Sequence, residues 1–459
     1  MNDNSIKIIL LVFLLSTFTF AQKTNSVTIV GDSLVGKTIN GEKIREVIGN
    51  VIIKNGNATI NCDKSVQHLE SSKIDLFGRV CFVQDTLRLM TSRAYYLSRQ
   101  DSLIIDTNFT VIMNSDSITA SKGTYSRRND LTTLVGNVHL KRNKLKLTSE
   151  KLLFYRKTNK LIATTDVNVL DSTSILNADS LIYFMDDNIT LAFKNVSLYN
   201  EHESFMLFGN ELVDSGKTKF TEVVGNPLLF KIDSLDNSLH DSLFVLSDYM
   251  TMKNDSDRTV TANGNVKILR KNLSIVADSS VFEIDSNRFT AIKTNEYGEP
   301  VKLWYDKTQV TGDSVFVLLD NNALRKVIIK KNAQLISVED SLRLRYNQIA
   351  GNRIVMDFIA GKLKSIFVDG NVLSIYYMVD KGEPNGLIKS SARSTLVELD
   401  SNAVAKVKFF GTPKSEYHPE NLIDGNESDF VLPSFRLYKD KPKKNSFINR
   451  IKRNKNLIF

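Results

Sequence analysis

The sequence predicts an all-β protein of stacked antiparallel strands, and three observations carry that reading. Apolar residues recur at a fixed step, apolar and polar residues alternate within each step, and polar turn pairs punctuate the alternation. The step is plain in Val51, Val80, Phe109, Val138, Val167 and Val196, each 29 residues after the last. The signature around them is commonly Gly-Asn-Val, as at Gly49-Asn50-Val51, Gly136-Asn137-Val138, Gly264-Asn265-Val266 and Gly370-Asn371-Val372. A second track, Asp63, Ser92, Ser121, Glu150 and Asp179, keeps the same spacing. Its clearest wording is Ala178-Asp179-Ser180-Leu181-Ile182-Tyr183, which returns as Ala277-Asp278-Ser279-Ser280-Val281-Phe282 and in shorter form from Gly312. Beyond Val196 the unit lengthens to roughly 35 residues; repeats of about 29 to 35 residues mark a repeat architecture.

The units are strands rather than helices. Val138-His139-Leu140-Lys141 and Lys144-Leu145-Lys146-Leu147-Thr148 alternate with period two, as half-buried strands do. Asn-Lys, Asn-Gly and Asp-Asn pairs between them tolerate tight-turn geometry. The glycine that starts each signature suits a bend that a side chain would obstruct. A unit of this size cannot bury its apolar face alone, so neighbours stack, giving two facing sheets around an apolar interior. Alternation puts Val51, Ile53, Val80, Phe82, Val138, Leu140, Val167, Val169, Val196, Leu198, Val266 and Ile268 on one face. These are the candidates for the interior.

Composition narrows the function classes. Of 459 residues, 42% are apolar and 24% charged, enough for a core and against global disorder. Two cysteines exclude a disulfide scaffold and a four-thiolate zinc site. The five histidines, at 68, 139, 202, 240 and 418, are scattered beyond ligand spacing, so neither a metal nor any other cofactor is expected. Residues 1–21 read as a secretory signal: Lys7, the apolar run Ile8 to Leu15, then Thr19-Phe20-Ala21 ahead of Gln22. Export leaves a disulfide between Cys62 and Cys81 open. The change of period divides the mature chain into a first array over 22–230 and a second over 231–410. A basic tail with four of the seven prolines follows over 411–459. From Arg436 onward nine Lys and Arg face the single acid Asp440, so this stretch carries eight of the nine net positive charges. A balanced body in an exported chain argues against nucleic acid, while the tail is either a solvated end or a contact for an anionic surface.

A signal sequence, repeated Gly-Asn-Val and repeated Ala-Asp-Ser-Leu-x-Tyr/Phe together resemble the OstA family of periplasmic lipopolysaccharide-transport proteins, over roughly residues 26–410. That resemblance implies an elongated, V-shaped β-jellyroll whose greasy interior holds the acyl chains of lipid A. It implies a location in the periplasm, free or associated with the outer membrane, and docking through open sheet edges. The partners would be Lpt-type jellyroll proteins of the inner- and outer-membrane complexes, or further copies of the chain. No outer-membrane barrel follows the repeats, so the resemblance is to the soluble bridge.

Two rivals stand beside it: an exported structural β-repeat such as an adhesin, and an outer-membrane assembly factor that holds a protein client. Gly31-Asp32-Ser33-Leu34 spells the nucleophile block of a hydrolase family. The Asp-Ser pair is copied at 179, 278 and 313, with no paired Asp-x-x-His block, and a nucleophile needs a base held beside it. No enzyme is expected.

Overall fold

A long strand that must belong to two walls needs a corner, and the recurring signature supplies it. The computed structural model describes residues 28–453, except 56, 98, 101, 127, 202–203, 232–241, 321–322, 381 and 401–402. The leader over 1–21 and the last six residues lie outside this description. The described residues are almost entirely strand, and every recorded strand pair is antiparallel. They divide into two compact units: Met1–Glu203 with Gly209–Thr221, and Ser204–Phe208 with Glu222–Phe459.

In the first unit the strands Glu42–Asn55, Ala58–His68, Lys73–Gln84, Leu131–Arg142, Leu145–Tyr155, Lys160–Leu170, Ser174–Phe184 and Ile189–Asn200 are long and bent. Each register breaks at mid-strand, between Ile48 and Val51, Phe77 and Val80, Val135 and Val138, and Thr164 and Val167. Two residues there oppose one, which is a β-bulge and bends the strand. Both bulge residues are left-handed: Gly49 and Asn50, Gly78 and Arg79, Gly136 and Asn137, Thr165 and Asp166, Lys194 and Asn195. Glycine and asparagine adopt that conformation most readily, which is why the signature is Gly-Asn. The valine after it is the first residue of the second wall.

The second sequence track is the other half of the corner. Glu150 is the single residue opposite Gly136 and Asn137, and Asp179 the one opposite Thr165 and Asp166. Asp179 then accepts from the next corner, where Asn195 Nδ2 lies 3.1 Å from both its oxygens. Asp63 likewise accepts from Arg79 Nε at 2.8 Å, and Asp248 from Asn265 Nδ2 at 2.7 Å. Each corner is tied to the one before it. The glycine is required for space as well as backbone angle, since a Cβ on Gly78 would run into Asp63 and one on Gly264 into Asp248.

The second unit repeats this plan in Thr259–Arg270, Ala323–Asp340, Arg345–Ile359, Lys362–Asp380 and Glu383–Asp400, with breaks at Asn263/Val266, Lys330/Ala333 and Asp369/Val372. What the sequence treats as a tail is built into this unit. Lys414–His418 is a strand paired with Leu387–Ser391. A strap then runs back over earlier and earlier strands, crossing the face turned away from the interior. Ile423 and Leu432 pack with Ile375, Tyr377 and Leu387. Buried Arg345 donates to Glu420 at 2.6 Å and Glu427 at 3.1 Å. Buried Gln309 donates to the Arg436 carbonyl and accepts from the Tyr438 N–H, both at 2.8 Å, and Lys302 donates to Asp440 at 2.7 Å. The strap ends in a helix, α1 (Lys444–Arg453), whose Phe447 and Ile451 cover Phe208, Leu228, Phe230, Phe244 and Leu269. The i, i+4 spacing of Phe447 and Ile451 puts both on one helix face.

Gly264→Ala is expected to lower stability by about 2 kcal/mol or more, since a side chain in the left-handed region costs about 1–2 kcal/mol before any clash. Asn265→Ala, which removes the bond to Asp248 and puts an alanine at a left-handed position, is expected to cost about 1–2 kcal/mol. Denaturant midpoints decide both. Phe447→Ala is expected to cost about 3 kcal/mol, the usual loss for a buried phenylalanine. Fluorescence of Trp304, the chain's single tryptophan, reads unfolding of the second unit, and an unchanged midpoint contradicts the docked strap.

Candidate functional site

In the first unit the inward positions are fully buried, among them Leu161 and Ala163, Leu176 and Ala178, and Leu181 and Tyr183. Val138, Leu147, Ala163, Leu181 and Ala192 expose no surface at all. In the second unit the two walls stand apart around a cavity of about 320 Å³. Leu229, Val245, Ile268 and Ile275 line it from one wall, and Val260, Ala262, Phe282, Phe289 and Val317 from the other. Strand alternation separates these from Leu228, Phe230, Phe244 and Leu269, which point the other way and lie under α1. One wall is therefore apolar on both faces, with the cavity on one side and the strap on the other.

The cavity lies where the hairpin turns of the two walls meet. Arg270, Lys271 and Asn272 reach it from one turn, and Ile284, Asn287, Ala360 and Gly361 from turns of the opposite wall. Lys231 also lines it. The lining is thus mostly hydrocarbon with basic side chains at its polar end, a composition suited to an apolar chain with an anionic head. Its size falls near the lower end of small-molecule sites, about 300–1,000 Å³.

Eleven of the twelve interior candidates, Val51, Ile53, Val80, Phe82, Val138, Leu140, Val167, Val169, Val196, Val266 and Ile268, are buried, and Leu198 is half-buried. Only Ile268 lines the cavity. The lining residues that the sequence reading missed, Val260 and Ala262, come before the bend in the same strand as Val266 and Ile268. Alternation marks them as clearly, since positions 260, 262, 266 and 268 keep one phase across the two-residue bulge, but they precede the Gly-Asn-Val signature from which the interior face was counted.

The residues of the hydrolase-like block take part in a corner. Asp32 accepts from Asn50 Nδ2 at 3.0 Å, and its main-chain N–H donates to the Gly49 carbonyl. That is the corner tie seen at Asp63, Asp179 and Asp248, which explains why Asp-Ser is copied along the chain. His68 is held between Glu42 at 3.0 Å and Asp75 at 2.9 Å, a cross-strand clamp. Among the described residues no group of three or more His, Cys, Asp or Glu is placed to hold a metal. No described helix is long and apolar enough to cross a membrane.

Residues 26–132 match the family model of the OstA-like protein, and residues 117–233 that of the LptA/(LptD N-terminal domain) LPS transport protein. Residues 26–233 are thus similar to OstA-like and LptA-type proteins. The OstA-like segment holds the corners from Gly49 to Asn226, and the corners continue in the same form past its end, at Gly264, Lys331 and Gly370. Among solved structures the chain is similar to LptH, the LptA-homologous periplasmic component of the lipopolysaccharide transport device from Pseudomonas aeruginosa. That likeness has 8% identity, covers 37% of this chain and 82% of that one, and has a TM-score of 0.11, too low to inform the fold. No curated protein matches the chain.

The disulfide left open by the sequence is not formed: Cys62 and Cys81 are free thiols. Cys81 stands opposite Asn61 on the neighbouring strand. Cys62 is one residue out of that register, so the two side chains point to opposite faces. Burial pushes the Cys62 thiol up to about 11, and the Asp63 charge adds to the shift. In native protein an alkylating reagent is expected to modify half-buried Cys81 and spare Cys62 until denaturant is added, as read by mass spectrometry. The sign of the linkage is also fixed. The unfolded thiol, near 9.0, loses its proton first, so this contribution to stability is whole below pH 9 and fades between about 9 and 11.

Proposed function

We propose that this chain is a periplasmic bridge protein that carries lipopolysaccharide toward the outer membrane, holding acyl chain in the apolar interior of its second unit. The observation that carries the reading is the cavity between the walls, mostly apolar, with Lys231, Arg270, Lys271, Asn272, Ser280 and Asn287 as its polar lining. Each buried methylene returns about 0.8 kcal/mol, so even one partly enclosed tail is held firmly against water. The basic groups complement the phosphates of a lipid A head. Its volume admits part of a multi-tailed lipid at a time, which fits a protein that passes its cargo on. The OstA-like match supports the same class of cargo.

Sheet edges supply the partner surfaces. Among the described residues Ser33–Ile39 pairs only with Glu42–Ile48, and Ala403–Phe410 only with Ser394–Asp400. Leu34, Val35 and Ile39 are exposed at the first edge, and Val404, Val407 and Phe410 at the second. Unpaired strands of this kind accept another strand, so Lpt-type jellyroll neighbours or further copies would add there.

A photo-crosslinker in place of Ile268 is expected to capture lipopolysaccharide in cells, while one at exposed Lys267, on the other face of the same strand, is not. Equal labelling of the two sites, or none at Ile268, overturns the reading. Capture of a protein in place of lipid favours the assembly-factor alternative.

A further inference from the structure

The cavity has a lateral seam, and a contact made by Tyr305 crosses it. On one lip lie the turns at Lys271-Asn272 and Asp306-Lys307, joined by Asn272 Nδ2 donating to Asp306 Oδ1 at 2.7 Å. On the other lie the turns over 284–287 and 360–361, the first braced where Arg258 donates to Asp285 and the Leu319 N–H to the Asn287 carbonyl. Each lip is tied along its own length. Across the gap, the Tyr305 hydroxyl donates to the Gly361 carbonyl at 3.1 Å, and the Tyr305 ring meets Phe358 edge-on with centroids 5.3 Å apart. Gly361 and its neighbour Ala360 line the cavity, whereas Tyr305 and Phe358 do not.

We propose that the Tyr305–Gly361/Phe358 contact is a gate through which an acyl chain enters and leaves the cavity sideways. The inference rests on the cavity being an acyl site. Three features support it. Tyr305 reaches across to the other lip with one hydrogen bond and one ring pair, an interaction weak enough to open. It sits at a hairpin turn whose Ala360 and Gly361 are both left-handed and whose Gly361 has open space around it, so the turn swings without disturbing the bonded strands behind it. Arg270 and Lys271 lie on the Tyr305 lip, where an anionic head would rest while its tail passes inward. A lateral opening also suits a ligand whose head is too large to thread between packed rungs.

The test uses the full-length mature protein, stripped of lipid, and the fluorescent fatty acid cis-parinaric acid as the probe. Because Tyr305 does not touch the cavity, Tyr305→Phe is expected to raise the association and dissociation rates together by about fivefold, the worth of one ordinary hydrogen bond. The equilibrium affinity stays where it was. In a Cys81→Ser background, Tyr305→Cys with Ala360→Cys bridged by a bis-methanethiosulfonate is expected to slow exchange by roughly tenfold or more, with reductant restoring it. Equal exchange in bridged and reduced protein, or a Tyr305→Phe effect on affinity alone, overturns the gate and leaves the acyl site standing. Wild-type protein that binds no probe overturns both.

Discussion

Every long strand of this protein has to leave one wall and enter the other while keeping its neighbours hydrogen-bonded, and the paired left-handed residues at each corner are what make that compatible with an unbroken ladder. A single rigid kink would splay the strands. A two-residue bulge opposite one carboxylate or hydroxyl residue turns the strand, and a hydrogen bond to that residue from the next corner fixes the spacing of the stack. The interior between the walls, the cavity and the outward face that receives the strap all follow from this turn. Where the glycine is replaced, as by Thr165, Lys194 or Lys331, the left-handed conformation persists, held by the pairing on both sides.

Much of this was legible in the residues. The 29-residue step of Val51, Val80, Val138 and Val167 gave strands and stacking directly, because period two and a fixed repeat have no helical reading. What the residues did not disclose was that the Gly-Asn-Val and Ala-Asp-Ser tracks are two halves of one contact, 16 or 17 positions apart in sequence. That relation depends on register, which alternation alone does not fix. The strap was opaque for a different reason. Its composition, basic and proline-bearing, is that of a solvated end, and its docking relies on single buried residues far upstream: Arg345, Gln309 and Lys302. Nothing local to residues 420–453 announces them.

The interior was half legible. Buried apolar positions were identified, but whether they close on one another or stand apart depends on the facing wall. In the first unit Ala163 and Ala192 flank Leu181 on neighbouring strands, and all three are fully buried. In the second unit the walls carry Ala262 and Ser280 where their neighbours do not reach across, and space remains. Residue type along one strand is too little to tell these apart, since packing is a property of two faces at once.

The strap also has a temporal meaning. Its contacts reach backward over lengthening intervals, from Glu420 to Arg345, then Tyr438 to Gln309, then Asp440 to Lys302. A chain delivered from its amino end forms the hairpins of the first unit from neighbouring segments as they arrive. The outward apolar patch of Phe230 and Phe244 instead stays bare until Phe447 has been delivered. Long-range closure of this sort is slow, so the second unit spends the interval as the aggregation-exposed part of a nascent molecule.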